Sequence, residues 1–403
     1  MKYLFAWLTV ERYDVIVAGG SISGLLCARE IASKGLSVLV LEQNAEIGTP
    51  EHCGGVVSLN GLKNLGIIPD STILQNFVNI ARINSPSTFF EIRTKSQNVA
   101  VVDRRSLDKH VAKLAYNHGA EIRTRCTFKS VVKDQSQQYL IKTSDRDISC
   151  EYVVDARGLG GLKNDLVRGI LPSAQYEVYA PWIENDMIEI SVDNSKYPGY
   201  FAWIIPTGDG RGKVGVAGRN INGESTLRMF MNAKGKNYSV VRKIFAPIWV
   251  GGPIESFICN RTLIIGDAAG QTKPTTAGGI YTGGFAGILA GRAICKAVKL
   301  NDDLELRSYD MEWRAKFQKE FNMMKLIRMF FERLDNKSLD EIFCTLSRNR
   351  IDKIANSGDF DFHSSALTLL FGTRIAPWIA KSFLANEFRK LLGQDNSTIS
   401  GGK

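Results

Sequence analysis

Gly19, Ser21 and Gly24 fall in the run GGSISG, between the apolar β-branched stretch YDVIVA (13–18) and the helix-like stretch GLLCAREIA (24–32). A strand that turns at a glycine into a helix leaves free N–H groups at the helix's positive end, and these hold a pyrophosphate. Ser21, Ile22 and Ser23 would supply the N–H groups, Gly19 the turn and Gly24 the close approach of helix to strand. Glu42 closes the next apolar run, LSVLVLE (36–42), where an acid accepts hydrogen bonds from an adenosine ribose. Serine replaces the middle glycine of this fingerprint; it is small, and its hydroxyl can itself touch phosphate.

A second segment, TLIIGDAAGQTKPTTAGGI (262–280), brings Gly266 and Asp267 to the end of an apolar run and then opens a glycine-rich helix at Gly278, Gly279 and Ile280. Asp267 suits a ribityl hydroxyl. The helix start would aim its positive end at a flavin pyrimidine edge, where negative charge develops on reduction. VVDARG (153–158) again ends a strand in an acid and a glycine, and in VDRRSLD (102–108) Arg104 or Arg105 can reach a dinucleotide. Cys126 completes the candidate set. Together these segments imply FAD as cofactor and no metal. The plainer alternatives are a helix-capping role for Asp267 and solvated arginines at 104 and 105.

The elements that must position these residues form a βαβ unit over 13–42, as a parallel crossover requires. Residues 44–65 read as loop, and a helix runs from a capping Ser106 to a stop at Gly119. Strands follow at 121–124, 128–132, 139–142 and 152–156. Residues 173–218 alternate as an inserted antiparallel sheet, with GDGRG (208–212) a hairpin turn. The chain is helical over 280–333 and 338–392. The expected fold is α/β, a Rossmann-type FAD-binding domain (1–72, 100–168 and 256–300) with an antiparallel substrate domain (73–99 and 169–255) and a C-terminal helical region (301–403).

The 403 residues carry 51 Lys+Arg against 41 Asp+Glu, a net charge of +10. The basic residues are scattered and no nucleic-acid-binding motif accompanies them, so a nucleic-acid partner is not expected. Seven cysteines, an odd number with no Cys-x-x-Cys, imply reduced thiols and a cytoplasmic location. The apolar start, MKYLFAWLTV, is short, meets Glu11 and Arg12, and reads as a leader packed on the fold rather than a signal peptide. Gly279, Gly283, Gly287 and Gly291 repeat every four residues as in a membrane dimer face. Following directly on a phosphate-type loop, they read instead as a helix pressed on another backbone.

The order GGSISG, EHCGG (51–55), VDRRSLD, VVDARG, YFAWIIP (200–206) and GDAAGQTKPTTAGGI resembles the geranylgeranyl reductase family, in the flavoprotein superfamily of para-hydroxybenzoate hydroxylase. The resemblance covers roughly residues 12 to 330. It implies FAD-dependent saturation of C=C bonds in geranylgeranyl chains, as in archaeal-type membrane lipids or their diphosphate precursor, with a hydride from reduced flavin N5 and a proton.

The resemblance places Cys53, Gly54 and Gly55 near the flavin ring, with Cys53 either giving the proton or packing there. The family's Pro-x-x-Tyr-x-Trp-x-Phe-Pro pocket segment reads here Pro198, Phe201, Trp203, Ile205 and Pro206, with Tyr200 next door. Tyr200, Phe201, Trp203 and Pro206 are the candidate substrate residues. Expected partners are an isoprenoid lipid, an electron donor (reduced ferredoxin or NAD(P)H) and, through C-terminal helices that mix apolar and basic residues, a peripheral membrane contact on the inner face. A flavin-dependent hydroxylase and a non-catalytic electron-transfer flavoprotein are the alternatives.

Overall fold

A computed structural model describes residues 10–93, 99–133, 138–162, 169–235, 237–348, 360–362 and 376–391. The expected leader lies outside the described residues, except for Val10, which is exposed.

Strand β1 (Glu11–Ala18), helix α1 (Ile22–Ala32) and strand β2 (Val38–Leu41) form the βαβ unit. The second half of β1, residues 15–18, is apolar because both its faces are covered. Val15 and Val17 join one core, and Ile16 joins another with Leu39 and Leu41. The stretch expected as loop contains β3 (Val56–Ser58) and α2 (Leu59–Asn64), whose N-terminus is capped by the Ser58 hydroxyl accepting from Gly61 N–H at 2.8 Å.

Strands β4 (Leu74–Val78), β5 (Ile80–Asn84), β6 (Phe89–Arg93) and β7 (Val99–Val102) lead to α3 (Arg104–Asn117). The cap of α3 is Asp103, not Ser106: the Asp103 carboxylate accepts from Ser106 N–H at 2.9 Å. Sequence alone does not separate the two, since Asp and Ser both make good caps. The shift puts Arg104 on the first turn of the helix.

β8 (Glu121–Arg123), β9 (Phe128–Lys133), β10 (Tyr139–Thr143) and β11 (Ile148–Asp155) follow. β12 (Ile170–Leu171), β13 (Ser173–Tyr179), β14 (Met187–Ser191), β15 (Ala202–Gly208) and β16 (Arg211–Ala217) make the inserted sheet region, and the turn between β15 and β16 is the expected hairpin. Helix α4 (Gly223–Lys234), β17 (Ser239–Phe245), β18 (Ile248–Trp249), β19 (Ile258–Cys259) and β20 (Thr262–Ile264) complete the β part. Helices α5 (Ile280–Leu300), α6 (Arg307–Arg333), α7 (Asn336–Arg348) and α8 (Ala376–Leu391) end the chain.

One sheet runs β19-β20-β11-β1-β2-β8, parallel from β20 to β8, with β10 and β9 added beside β11. A second, mostly antiparallel sheet runs β17-β13-β16-β15-β14-β5-β6 and packs Leu227, Phe230 and Met231 of α4 against one face. A small sheet, β3-β7-β4, stands between them in the chain.

The glycine stripe is a helix crossing. A Cβ on Gly287 would sit 2.1 Å from Ser23 O, and one on Gly291 2.8 Å from Cys27 O. Among the described residues no helix is long and apolar enough to cross a membrane. Gly287→Ala therefore drives a methyl into the backbone of α1. We expect it to destabilise the protein by about 1–3 kcal/mol or more and to release the cofactor. Thermal unfolding with flavin fluorescence checks this; an unchanged melting temperature would refute the close crossing.

Candidate functional site

A cleft of about 660 Å³ opens where β1, β2, β11 and β20 end, within the size range of small-molecule sites. Its wall combines Gly19 to Ser23, Glu42 to Asn44, Glu51 to Cys53, Arg104, Cys126, Ala156 to Gly160, Asp267 and Gly279–Ile280. All three sequence motifs thus meet in one place.

Gly19 leaves β1 at φ +115°, where a Cβ would lie 2.2 Å from Ala156 O. Ser21 starts α1 without giving its hydroxyl to the helix, and the Ile22 N–H turns to the Asp108 carboxylate. Glu42 is oriented before any ligand arrives. Its Oε2 accepts from Gly20 N–H at 2.9 Å and its Oε1 from Asn44 N–H and Nδ2 at 2.8 and 2.7 Å. Cys126 lies buried beside it, its N–H bonded to Glu42 O at 2.9 Å.

Asp267 opens onto the cleft floor. The protein packed around it pushes its carboxyl above the ordinary range, and Arg104 pulls it back. Gly279 begins α5 with no side-chain cap, so that helix also presents free N–H groups. Gly266 and Gly278 stand behind this wall: Gly266 N–H donates to Gln271 Oε1 at 2.8 Å, and Gly278 O accepts from Lys273 N–H at 3.0 Å.

Of the two candidate arginines, Arg104 reaches the cleft. Its guanidinium pairs with Asp108 at 2.9 Å and interacts with Cys53, and its buried Nε has no hydrogen-bond partner among the described residues. Arg105 is half-exposed and faces Glu51 and Asp103 at 3.6 and 3.4 Å. Asp155, the acid of VVDARG, stays out of the cleft and holds Arg157 at 2.7 Å. Arg157 lines the cleft with its guanidinium 4.6 Å from the Phe128 ring.

Sequence reading missed a buried ionic group beneath the Cys53 loop. Glu51 and Lys213 are almost fully buried and paired at 2.5 Å, and Arg242 reaches Glu51 at 2.7 Å and Glu177 at 2.5 Å. Burial pushes the Glu51 carboxyl up, but Lys213 and Arg242 outweigh it and leave it below the ordinary range. Lys213 Nζ also donates to Cys53 O at 3.3 Å. A lysine amid the small and apolar residues 212–217 of the strand RGKVGVA was the available signal.

The Cys53 loop in turn rests on the inserted sheet. A Cβ on Gly54 would meet Ile205 Cδ1 at 2.6 Å, and one on Gly55 Val102 O at 2.3 Å. Gly55 N–H donates to Cys53 Sγ at 3.3 Å. Tyr200, Phe201 and Trp203 do not line the cleft but share one apolar cluster with Ile248 and Ala277, which do. Tyr200 stacks on Phe201 at 4.0 Å, and Phe201 meets Trp203 edge-on at 6.1 Å. Trp203 Nε1–H donates to Gln175 Oε1 at 3.0 Å, and Gln175 Nε2 to Cys53 O at 3.5 Å. Pro206 is buried one residue past Ile205, its carbonyl accepting from Asn76 at 3.2 Å. Residues 245–249, unmarked in the sequence reading, supply the cleft's apolar side.

This cleft fits FAD. Side-chain-free turns at Gly19 and Gly279 and two helix starts whose own cap residues make no side-chain bond suit the pyrophosphate and the flavin edge, Glu42 and Asp267 suit the two polyol ends, and Arg104 offers a buried N–H. Residues 14–164 match the FAD dependent oxidoreductase family. The chain is 29% identical over 367 residues to digeranylgeranylglycerophospholipid reductase 2 of Methanothermobacter thermautotrophicus, covering 85% of this chain and 94% of that one. It is 31% identical over 376 residues to an uncharacterized protein of Methanocaldococcus jannaschii, covering 88% and 93%. The fold matches a crystal structure of a geranylgeranyl bacteriochlorophyll reductase-like protein from Thermoplasma acidophilum with a TM-score of 0.82 at 22% identity, over 94% of this chain and 100% of that one.

The chain is an FAD-dependent oxidoreductase. Within that class it belongs to the geranylgeranyl reductase family, on its motif order and on relatives matched over 85% and 88% of the chain.

Asp267→Asn removes the charge expected to meet a ribityl hydroxyl. We expect it to weaken FAD binding roughly tenfold or more, the effect of losing a charge-assisted hydrogen bond of about 1.5–3 kcal/mol. Equilibrium flavin titration checks this, and wild-type affinity would take Asp267 out of the cofactor site.

Proposed function

We propose that the protein saturates C=C bonds of geranylgeranyl chains in archaeal-type isoprenoid membrane lipids or their diphosphate precursor. The observation that supports this best is the Cys53–Gly55 loop, which lines the cofactor cleft on one side and rests on the aromatic strand of the inserted sheet on the other. The names of the relatives point to the same substrate class.

An isolated trisubstituted alkene has no carbonyl to polarise. Its reduction passes through tertiary-cation character and needs one proton in a dry, apolar site. When bound and reduced, FAD supplies the hydride. The chain's own residues supply the rest. Ile248, Trp249 and Ala277 keep water away. Tyr200, Phe201 and Trp203 back that wall as aromatic faces, each worth about 0.5–2 kcal/mol to a neighbouring cation. Gln175 holds Trp203 in one orientation and, with Lys213, ties down the Cys53 carbonyl. In this reading the Cys53 thiol delivers the proton.

The electron donor in this reading is reduced ferredoxin docking on the basic surface or a nicotinamide, and the protein works in the cytoplasm, peripherally at the membrane that holds its substrate. Steady-state rates with each donor separate the two.

Anaerobic incubation of the dithionite-reduced protein with a geranylgeranyl lipid should add two hydrogens per step in the mass spectrum. A gain of one oxygen in air with a reductant, and no anaerobic change, would make the protein a hydroxylase instead. Cys53→Ala should lower turnover while FAD stays bound. Unchanged turnover would remove Cys53 from the mechanism.

A further inference from the structure

At the start of the aromatic strand, on the side away from Cys53, two guanidiniums share one carboxylate. Arg219 leaves β16 through Gly218 and is fixed by its own N–H, which donates to Pro198 O at 2.7 Å. Its side chain pairs with Glu332. Arg328, one turn earlier on α6, donates from Nη1 to the same Glu332 at 3.0 Å. The Arg328 side chain is only 10% exposed, and its buried Nε has no hydrogen-bond partner among the described residues. A buried, unsatisfied guanidinium N–H is costly unless an anion meets it.

This pair is continuous with the apolar track. Glu332 lies against the Gly199 backbone, where a Cβ would stand 3.0 Å from its Oε1. Tyr200 is the next residue, electrostatically coupled to Arg328, and from it the contacts pass through Phe201, Trp203 and Gln175 to Cys53. A 35% exposed Arg219 opens the pair to solvent, whereas the aromatic side chains beyond are buried or half-buried. Two guanidiniums beside a run of aromatic side chains supply the two chemistries that an amphiphile with an anionic head needs.

We propose that Arg219 and Arg328 bind the phosphate group at the head of the isoprenoid substrate, fixing how far its chain reaches toward the cleft. Guanidiniums suit this because their N–H forks match phosphate oxygens in pairs. Burial pushes the Arg328 pKa below the ordinary arginine value, Glu332 opposes this and Arg219 adds to it, so an arriving anion relieves a cation that one carboxylate only partly satisfies. The inference rests on the isoprenoid reading of the substrate. The phosphate can be the ester of a glycerolipid or the diphosphate of a prenyl precursor.

The FAD-loaded full chain is assayed by Trp203-dependent fluorescence for binding of geranylgeranyl diphosphate, digeranylgeranylglyceryl phosphate and uncharged geranylgeraniol. Wild type should prefer the charged ligands. Arg328→Met should cut that preference roughly tenfold or more, with partial rescue by Arg328→Lys. Glu332→Gln, which removes the competing carboxylate, should leave it equal or stronger, a direction that misfolding cannot produce. Whichever charged ligand loses more identifies the source of the phosphate. Equal loss for geranylgeraniol, or no loss at all, overturns the site. Because the assay reads binding alone, a wild type that reduces no lipid would sink the proposed activity and leave this test standing.

Discussion

Everything at the cofactor cleft depends on how closely the backbone of α5 lies on that of α1. The contacts advance together, Gly283 on Ser23, Gly287 on Ser23 and Cys27, Gly291 on Cys27, so the two helices run parallel. Their N-termini therefore open side by side, and both the Ser21–Ser23 and Gly279–Ile280 starts face the same void. Two positive helix ends in one cleft favour a ligand whose negative charge is divided between two places. A dinucleotide with a reducible ring is such a ligand: its pyrophosphate would meet one end, and the charge gained on reduction would meet the other.

The parallel sheet provides the matching half of the constraint. Strand ends at Ala18, Leu41, Asp155 and Ile264 stop at one edge, and the loops that follow carry the polar groups. Glu42 and Asp267 are set by different strands yet serve one cleft. Arg104 stands near Asp108, Asp267 and Cys53, where one cation steadies two buried-side carboxylates and borders the thiol.

The inserted sheet is tied to this frame by charge as well as by packing. Glu51, beside the cleft, meets Lys213 of β16 and Arg242 of β17 in surroundings where an unpaired ion would cost several kcal/mol. A buried group of this kind adds little net stability, since desolvation offsets most of the attraction. It does forbid the sheet from sliding over the Cys53 loop, because any slip leaves an ion unmatched. The aromatic strand thereby keeps its place behind the cleft, which a purely apolar contact would specify less sharply.

How much of this could be read from the chain follows from the range of the forces involved. The glycine turn, the acids ending strands and the glycine stripe are local patterns: each reports the backbone geometry of its own few residues, and the cofactor and the α/β class could be read from them directly. The helix cap at Asp103 was missed because two good caps stood three residues apart. Arg104 could not be told from Arg105, since helix phase decides which one turns inward. Lys213 and Arg242 meet Glu51 from 162 and 191 residues away, and Arg219 meets Glu332 from 113. Such pairings leave no local period in the sequence. Sequence determined the cofactor and the elements that hold it. Tertiary packing alone decided which charges meet beneath the loop, and with them where the aromatic strand and the Arg219–Arg328 pair stand relative to the cleft.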